Sequence, residues 1–274
     1  MHTDTILTKA LPLDHSQSRP TPWIAAWRAH LNAISLVVQE GWSTTLILED
    51  DVDWDIRLKA SLRQSARAID YMTRTEIPHT VWLHDLPEPR VSKTSPYGSG
   101  WDVLWLGHCG MELEEDVSLV LPDDLSVPET RYQSSWNSEA KNPLTDFPPH
   151  TRAVVKGVHL GTCSLAYAVS QAGARKLLYS LGLQRLNAAF DLMLREWCEG
   201  FNGHERHVCY GVMPQLFDHH RPAGSTDGDS DIGEPTGQTR GAASTPNIQW
   251  SVRLNMEKLP RGDERFQNQY PDTL

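Results

Sequence analysis

The sequence predicts an α/β sandwich, and three observations carry that prediction. Short apolar runs rich in β-formers alternate with longer segments whose apolar residues recur at helical spacing. The 274 residues suffice for one large domain or two modest ones with a sizeable core. The apolar fraction of 39% and charged fraction of 22% are those of an ordinary globular chain.

Residues 1–22 read as an irregular lead-in closed by Pro20 and Pro22. From Trp23 to Glu40, Ile24, Trp27, Leu31, Ile34 and Val38 mark one face of a helix that Gly41 stops. A strand follows at Thr44–Leu48, expected to be buried through Leu46, Ile47 and Leu48. Ile56 to about Tyr71 reads as a second amphipathic helix. Further strands are expected at Thr80–Leu83, Val103–Leu106, Ala153–Val158 and Ser164–Val169, and helices at Gln171–Leu181 and Asp191–Glu199. The main domain thus covers residues 23–221. The polar, proline-rich stretch 112–150 reads as a surface insertion, 222–247 as a flexible segment, and 248–274 as a tail that docks back as a short strand.

A formal charge of −10 argues against a nucleic-acid surface, but a bound cation would still permit a phosphate-bearing ligand. Cys109, Cys163, Cys198 and Cys209 form no C-x-x-C pair, which excludes a zinc ribbon and indicates no disulfide framework. No apolar run approaches the roughly 20 residues a membrane helix requires. The start MHTDTILTK is no signal peptide, and no N-x-[ST] site occurs. The chain is therefore expected to be soluble, in a reducing compartment.

The chemistry concentrates in TTLILEDDVDWD, Thr44 to Asp55, where five carboxylates fall within seven positions after an apolar strand. If the strand ran on to Asp53, Glu49, Asp51 and Asp53 would share one face. Each close pair would then cost about 4 kcal/mol at 4 Å and an effective dielectric near 20. Protonation, splaying into water or a hard divalent cation relieves that repulsion, and Mg²⁺ and Mn²⁺ suit few-carboxylate sites completed by phosphate oxygens. The plainest alternative is a solvated acidic turn in which Asp55 caps the next helix. A calcium EF-hand fails, because Ile56 and Leu62 stand where Gly and a bidentate Glu are required. An aspartyl phosphatase of the haloacid dehalogenase type matches only through Asp51-Val52-Asp53.

Six ordered blocks resemble glycosyltransferase family 25, the lipopolysaccharide and collagen galactosyltransferase-like group, in its fungal branch. They are WRAHLNAI (Trp27 to Ile34), LILEDDVDWD (Leu46 to Asp55), DVLWLGHCG (Asp102 to Gly110), CSLAYAVSQAGARKLL (Cys163 to Leu178), AAFDLML (Ala188 to Leu194) and YGVMPQLFDHH (Tyr210 to His220). The resemblance implies a GT-A type, Rossmann-like sandwich with a mixed central sheet. It also implies a nucleotide-sugar donor, UDP-linked by expectation, a Mn²⁺ or Mg²⁺ ion, inversion at the sugar, and a glycan, glycolipid or protein acceptor. On that basis Asp51, Asp53 and His220 are the expected metal ligands, His220 being favoured over His219. Glu49, Asp50 and Arg28 are the expected donor-binding residues. Asp191 is the expected general base, against a helix-capping role, with Glu196 as fallback. His30 and His108 are expected to be structural, and Arg152 and Lys156 are minor candidates for phosphate or acceptor.

Relatives of this family open with a strand and an R-x-D-R-like segment that nothing before Trp23 supplies, so the chain is expected to lack that first strand. They also commonly carry a membrane anchor in the secretory pathway. A catalytically inactive relative that still binds nucleotide, metal or glycan is therefore the alternative reading.

Overall fold

A computed structural model describes residues 11–12, 21–87, 95–112, 118–133, 147–229 and 237–270. Of the lead-in 1–22, residues 11–12 and 21–22 are described, and Thr21 and Pro22 already form the first turn of a helix, so the irregular stretch expected to run through Pro22 ends before it; the rest lies outside the described residues. A mixed sheet of nine strands forms the centre, flanked by helices on both faces in a Rossmann-like α/β arrangement. The chain runs α1 (Thr21–Gln39), β1 (Thr44–Leu48), β2 (Val52–Trp54), α2 (Leu58–Arg74), β3 (Val81–Trp82), β4 (Val103–Gly107) and β5 (Ser118–Leu121). It continues through β6 (Arg152–Lys156), β7 (Ala166–Ser170), α3 (Gln171–Leu177), α4 (Phe190–Glu199), β8 (Cys209–Met213) and β9 (Phe217–His219), with a hairpin of β10 (Gly224–Ser225) and β11 (Thr239–Arg240). The main path is β1-β7-β4-β8-β6-β5-β3, and β9 joins the end of β4 while pairing with β2. Among the described strand pairs, only β4–β8, β4–β9 and β3–β5 are parallel.

Helix α1 buries Trp27, His30, Leu31, Ile34 and Val37, the i, i+3, i+4, i+7, i+10 stripe of a helix on a sheet. With α3 and α4 it covers one sheet face, where Trp105, Tyr167, Phe190 and Trp197 fill the core. Helix α2 lies on the other face and buries the small residues Ser61, Ser65, Ala66 and Ala68 beside Ile69 and Met72. Gly173 lets α3 approach the sheet, because a Cβ there would collide with the carbonyl of Asp102.

Three sequence expectations are corrected. In the stretch 112–150, taken as a surface insertion, β5 is wholly buried and pairs with β3 and β6. Its four residues are too short a run to stand out between polar neighbours; residues 113–117 and 134–146 lie outside the described set. Within 222–247, Thr245 and Asn247 are buried, while 230–236 are not described. The tail does dock, but through a 3-10 turn at Arg253–Asn255 and an isolated bridge from Ser251 to Asp55, without the expected strand.

Strand β1 also departs from expectation. Leu46 and Leu48 are 41% and 42% exposed, and only Ile47 is buried. Glu49 N donates to Leu165 O (2.9 Å) and Gln171 N to Ser43 O (3.0 Å), so odd-numbered residues point their main chain at β7. The N–H and C=O groups of Thr44, Leu46 and Leu48 therefore face the outer edge, which pairs with no other strand among the described residues.

Candidate functional site

The five carboxylates after β1 do not share a face. Strand β1 ends at Leu48, the chain turns at Asp50–Asp51, and β2 starts at Val52 beside a different partner, β9. That turn breaks the alternation on which the stacking of Glu49, Asp51 and Asp53 depended, and the acids part into two sets.

Asp53 and Asp55 are buried and structural. Asp53 accepts hydrogen bonds from Trp54 N (2.8 Å), Thr245 Oγ1 (2.6 Å), Arg253 N (3.1 Å) and the Ser251 hydroxyl. Asp55 accepts from Arg57 through both guanidinium and backbone, and from Trp250 N at 2.8 Å. The C-terminal segment thus satisfies these two charges, as buried carboxylates require. Asp53, expected to hold a metal, has its oxygens committed here. His220, half-buried, turns to the same set: its Nδ1 lies 3.1 Å from Thr245 Oγ1 and 3.8 Å from Asp53.

Glu49 and Asp51 face the other way and meet His219. One ligand atom from each of Glu49, Asp51 and His219 lies within 4.8 Å of the others. Ser164 Oγ donates to Glu49 Oε1 at 2.8 Å, and His30 Nε2 sits 3.4 Å from the same oxygen. Burial works to raise the Glu49 pKa, but these hydrogen bonds and the His30 and His219 rings bring it below the ordinary carboxylate value. His30 is in turn held by Tyr167 Oη (3.0 Å) and stacked on Phe190 at 4.1 Å. At Asp51 burial and the neighbouring Glu49 carboxylate raise the pKa, opposed by Arg221, whose Nη1 is 3.5 Å from Asp51 Oδ2. His219 Nε2 lies 3.6 Å from that oxygen, and burial with Arg221 lowers the imidazole pKa to about 4. The result is two carboxylates and a neutral imidazole, a donor set suited to Mn²⁺ and related divalent ions.

No family model matches this chain, and no curated protein matches it.

The wall beside the cluster is built by residues 163 and 164. Cys163 N donates to Asp191 Oδ2 at 2.8 Å while Ser164 holds Glu49, so Asp191 and Glu49 are anchored on consecutive residues. Asp191 occupies the first turn of α4 and makes no cap to its own helix; Ala189 is the N-cap residue. Its Oδ1 makes no hydrogen bond to the described residues.

A disulfide ties this wall to the end of β4. Cys109 and Cys163 are bonded, and Cys109 Sγ lies 3.8 Å from His219 Nδ1. Cys198 and Cys209 form a second bridge, and no free cysteine remains. The expectation that no disulfide framework exists is thus corrected. Cys109 and Cys163 are 54 residues apart, and only the pairing of β4 with β7 brings them together.

Other candidates find different places. Arg28 is exposed on α1, two residues from the buried His30 and hence on the far side of the helix. Arg221 is the cation at the acids instead. Asp50 is exposed, and its carbonyl accepts from the Arg253 guanidinium. Arg152 is 2% exposed and structural: it pairs with Asp124 at 2.8 Å and binds the carbonyls of Pro214 and Gln215. His108 is structural as expected, wholly buried with Nε2 3.0 Å from Val212 O. Glu196 takes a 3.4 Å hydrogen bond from Asn187, and Lys156 lines a cleft with Glu112, His159, Glu199 and Arg206. Ser164 and Arg221 were not assigned roles from sequence, since their connection to the acids crosses more than 100 residues, and His30, expected to be structural, stands against Glu49. WRAHLNAI offered the one signal, a histidine on the helix face that the apolar stripe buries.

Proposed function

We propose that this chain is a metal-dependent, inverting glycosyltransferase that moves a hexose from a nucleotide-sugar donor, UDP-linked in our reading, to an acceptor hydroxyl. The observation that carries the proposal is the convergence of Glu49, Asp51 and His219 at the carboxyl end of β1, beside the half-free carboxylate of Asp191. The six blocks resembling glycosyltransferase family 25 contribute each of these residues, which supports the same reading.

Glu49, Asp51 and His219 would hold the ion, which when bound neutralises charge on a departing nucleoside diphosphate. His30 and Ser164 keep Glu49 ionised and aimed. Asp191, positioned by Cys163 N–H, takes the proton of the acceptor hydroxyl as its oxygen bonds to the anomeric carbon and the bond to the diphosphate breaks. Both disulfides support an oxidising compartment, in keeping with the secretory pathway of family relatives.

The test measures UDP affinity with and without Mn²⁺, then UDP release from UDP-galactose and UDP-glucose, for the wild type and Asp51→Asn. Mn²⁺-dependent UDP binding lost in the variant supports the site. If Mn²⁺ brings no gain and Asp51→Asn changes nothing, the reading is lost. Binding without turnover on any donor returns the inactive relative.

A further inference from the structure

Arg221 stands at the edge of the cluster with most of its guanidinium uncommitted. Its Nη1 lies 3.5 Å from Asp51 Oδ2 and donates to Asp229 O at 2.7 Å. Its Nε and Nη2 make no hydrogen bond to the described residues, although the side chain is only 21% exposed. The Asp229 carboxylate is already taken by Arg240 at 2.6 Å. A half-buried guanidinium with two parallel N–H groups free is arranged for a bidentate oxyanion.

We propose that Arg221 binds the diphosphate of the donor, and that it turns from Asp51 to that anion when a divalent ion occupies Glu49, Asp51 and His219. This rests on the metal reading above. In the ion-free cluster Arg221 supplies the positive charge at Asp51. A divalent ion ligated by the same carboxylate repels the guanidinium, and the two cations together present positive charge toward one phosphate-bearing ligand. Arg221 therefore opposes the metal alone and favours the metal with diphosphate.

The substitution can be made cleanly. The Arg221 main chain is fixed by its own hydrogen bonds, N to Ser244 O (2.8 Å) and O from Ser244 N (2.9 Å), and the loop to 229 is pinned by the Arg240–Asp229 pair. Removing the side chain leaves both in place.

Calorimetry of Mn²⁺ alone, then of inorganic pyrophosphate and UDP in saturating Mn²⁺, reads the inference directly. Arg221→Gln should bind Mn²⁺ about threefold tighter and pyrophosphate and UDP about tenfold more weakly, the loss of one charge-assisted contact. Arg221→Lys, which keeps the charge but not the fork, should leave Mn²⁺ affinity unchanged and weaken both anions by less. Arg175→Gln, exposed on α3 at the opposite end of β1, should alter neither. Unchanged anion affinity in Arg221→Gln, with wild-type Mn²⁺ and pyrophosphate binding intact, overturns the role of Arg221 and leaves the metal site standing. A wild type that binds no Mn²⁺ overturns both.

Discussion

Asp51 and Asp53 stand two positions apart and point into different environments, Asp51 toward His219 and Arg221, Asp53 into a pocket closed by Thr245, Ser251 and Arg253. The turn at Asp50–Asp51 separates them, so one acidic run serves two purposes.

Their amide variants should therefore behave oppositely. Asp53→Asn places an amide donor against four donors in a buried site and should cost about 3 kcal/mol in urea unfolding, whether metal is present or not. Asp51→Asn should leave metal-free stability within about 0.5 kcal/mol, because it relieves repulsion from Glu49. It should abolish the rise in Tm that saturating Mn²⁺ produces in the wild type by mass action. Equal losses of stability in the two variants would contradict this division.

The two disulfides should be separable in the same way. By loop-closure entropy, the Cys109–Cys163 bridge across 54 residues is worth about 4 kcal/mol and the Cys198–Cys209 bridge across 11 about 3 kcal/mol. Replacing either pair by serine should lower Tm. Only the Cys109/Cys163 pair should also weaken Mn²⁺ binding, since it alone braces Cys163, Ser164 and the flank of His219.

His108 should make the protein acid-sensitive above the carboxylate range. Burial, reinforced by Arg152, lowers its pKa to about 4, against the one favourable bond to Val212 O. That carbonyl can only accept, so Nε2 carries the proton, and the buried Nδ1 has no partner among the described residues. The unfolded chain takes up the second proton first, near pH 6.5. Stability is thus lost as pH falls from about 6.5 to about 4, by up to about 3 kcal/mol, and the contribution is flat below. His108→Gln should show a shallower fall across that window. Asp124, held below its ordinary pKa despite burial by Arg152 and Ser126, adds stability above its unfolded value that is lost at lower pH in both proteins.

The edge strand offers a mutational contrast along three consecutive residues. Leu46→Lys and Leu48→Lys should each change unfolding free energy by no more than about 0.5 kcal/mol, whereas Ile47→Ala should cost about 2 to 4 kcal/mol. The lysine variants should also stay monodisperse at higher concentration in light scattering, as a charge on an open strand edge discourages edge pairing.

The helix from Trp23, the strand at Thr44–Leu48, and the alternation that makes an α/β sandwich were determined by the sequence itself, because helical and strand periods are local and survive without partners. So was the acidic run itself with Asp51 in it, whereas Glu49, expected at the donor, and Asp53, expected at the ion, exchange places once the chain turns between them. Tertiary structure alone decided which histidine joined Glu49 and Asp51, since a strand turns successive side chains to opposite faces and only the pairing of β2 with β9 sets His219 toward Asp51 and His220 toward Asp53. It alone also decided that β5 is core, that Leu46 and Leu48 face outward, and that four scattered cysteines form two bridges. Each of those outcomes depends on segments dozens of residues away, and no local pattern encodes the company a residue keeps once the chain has closed on itself.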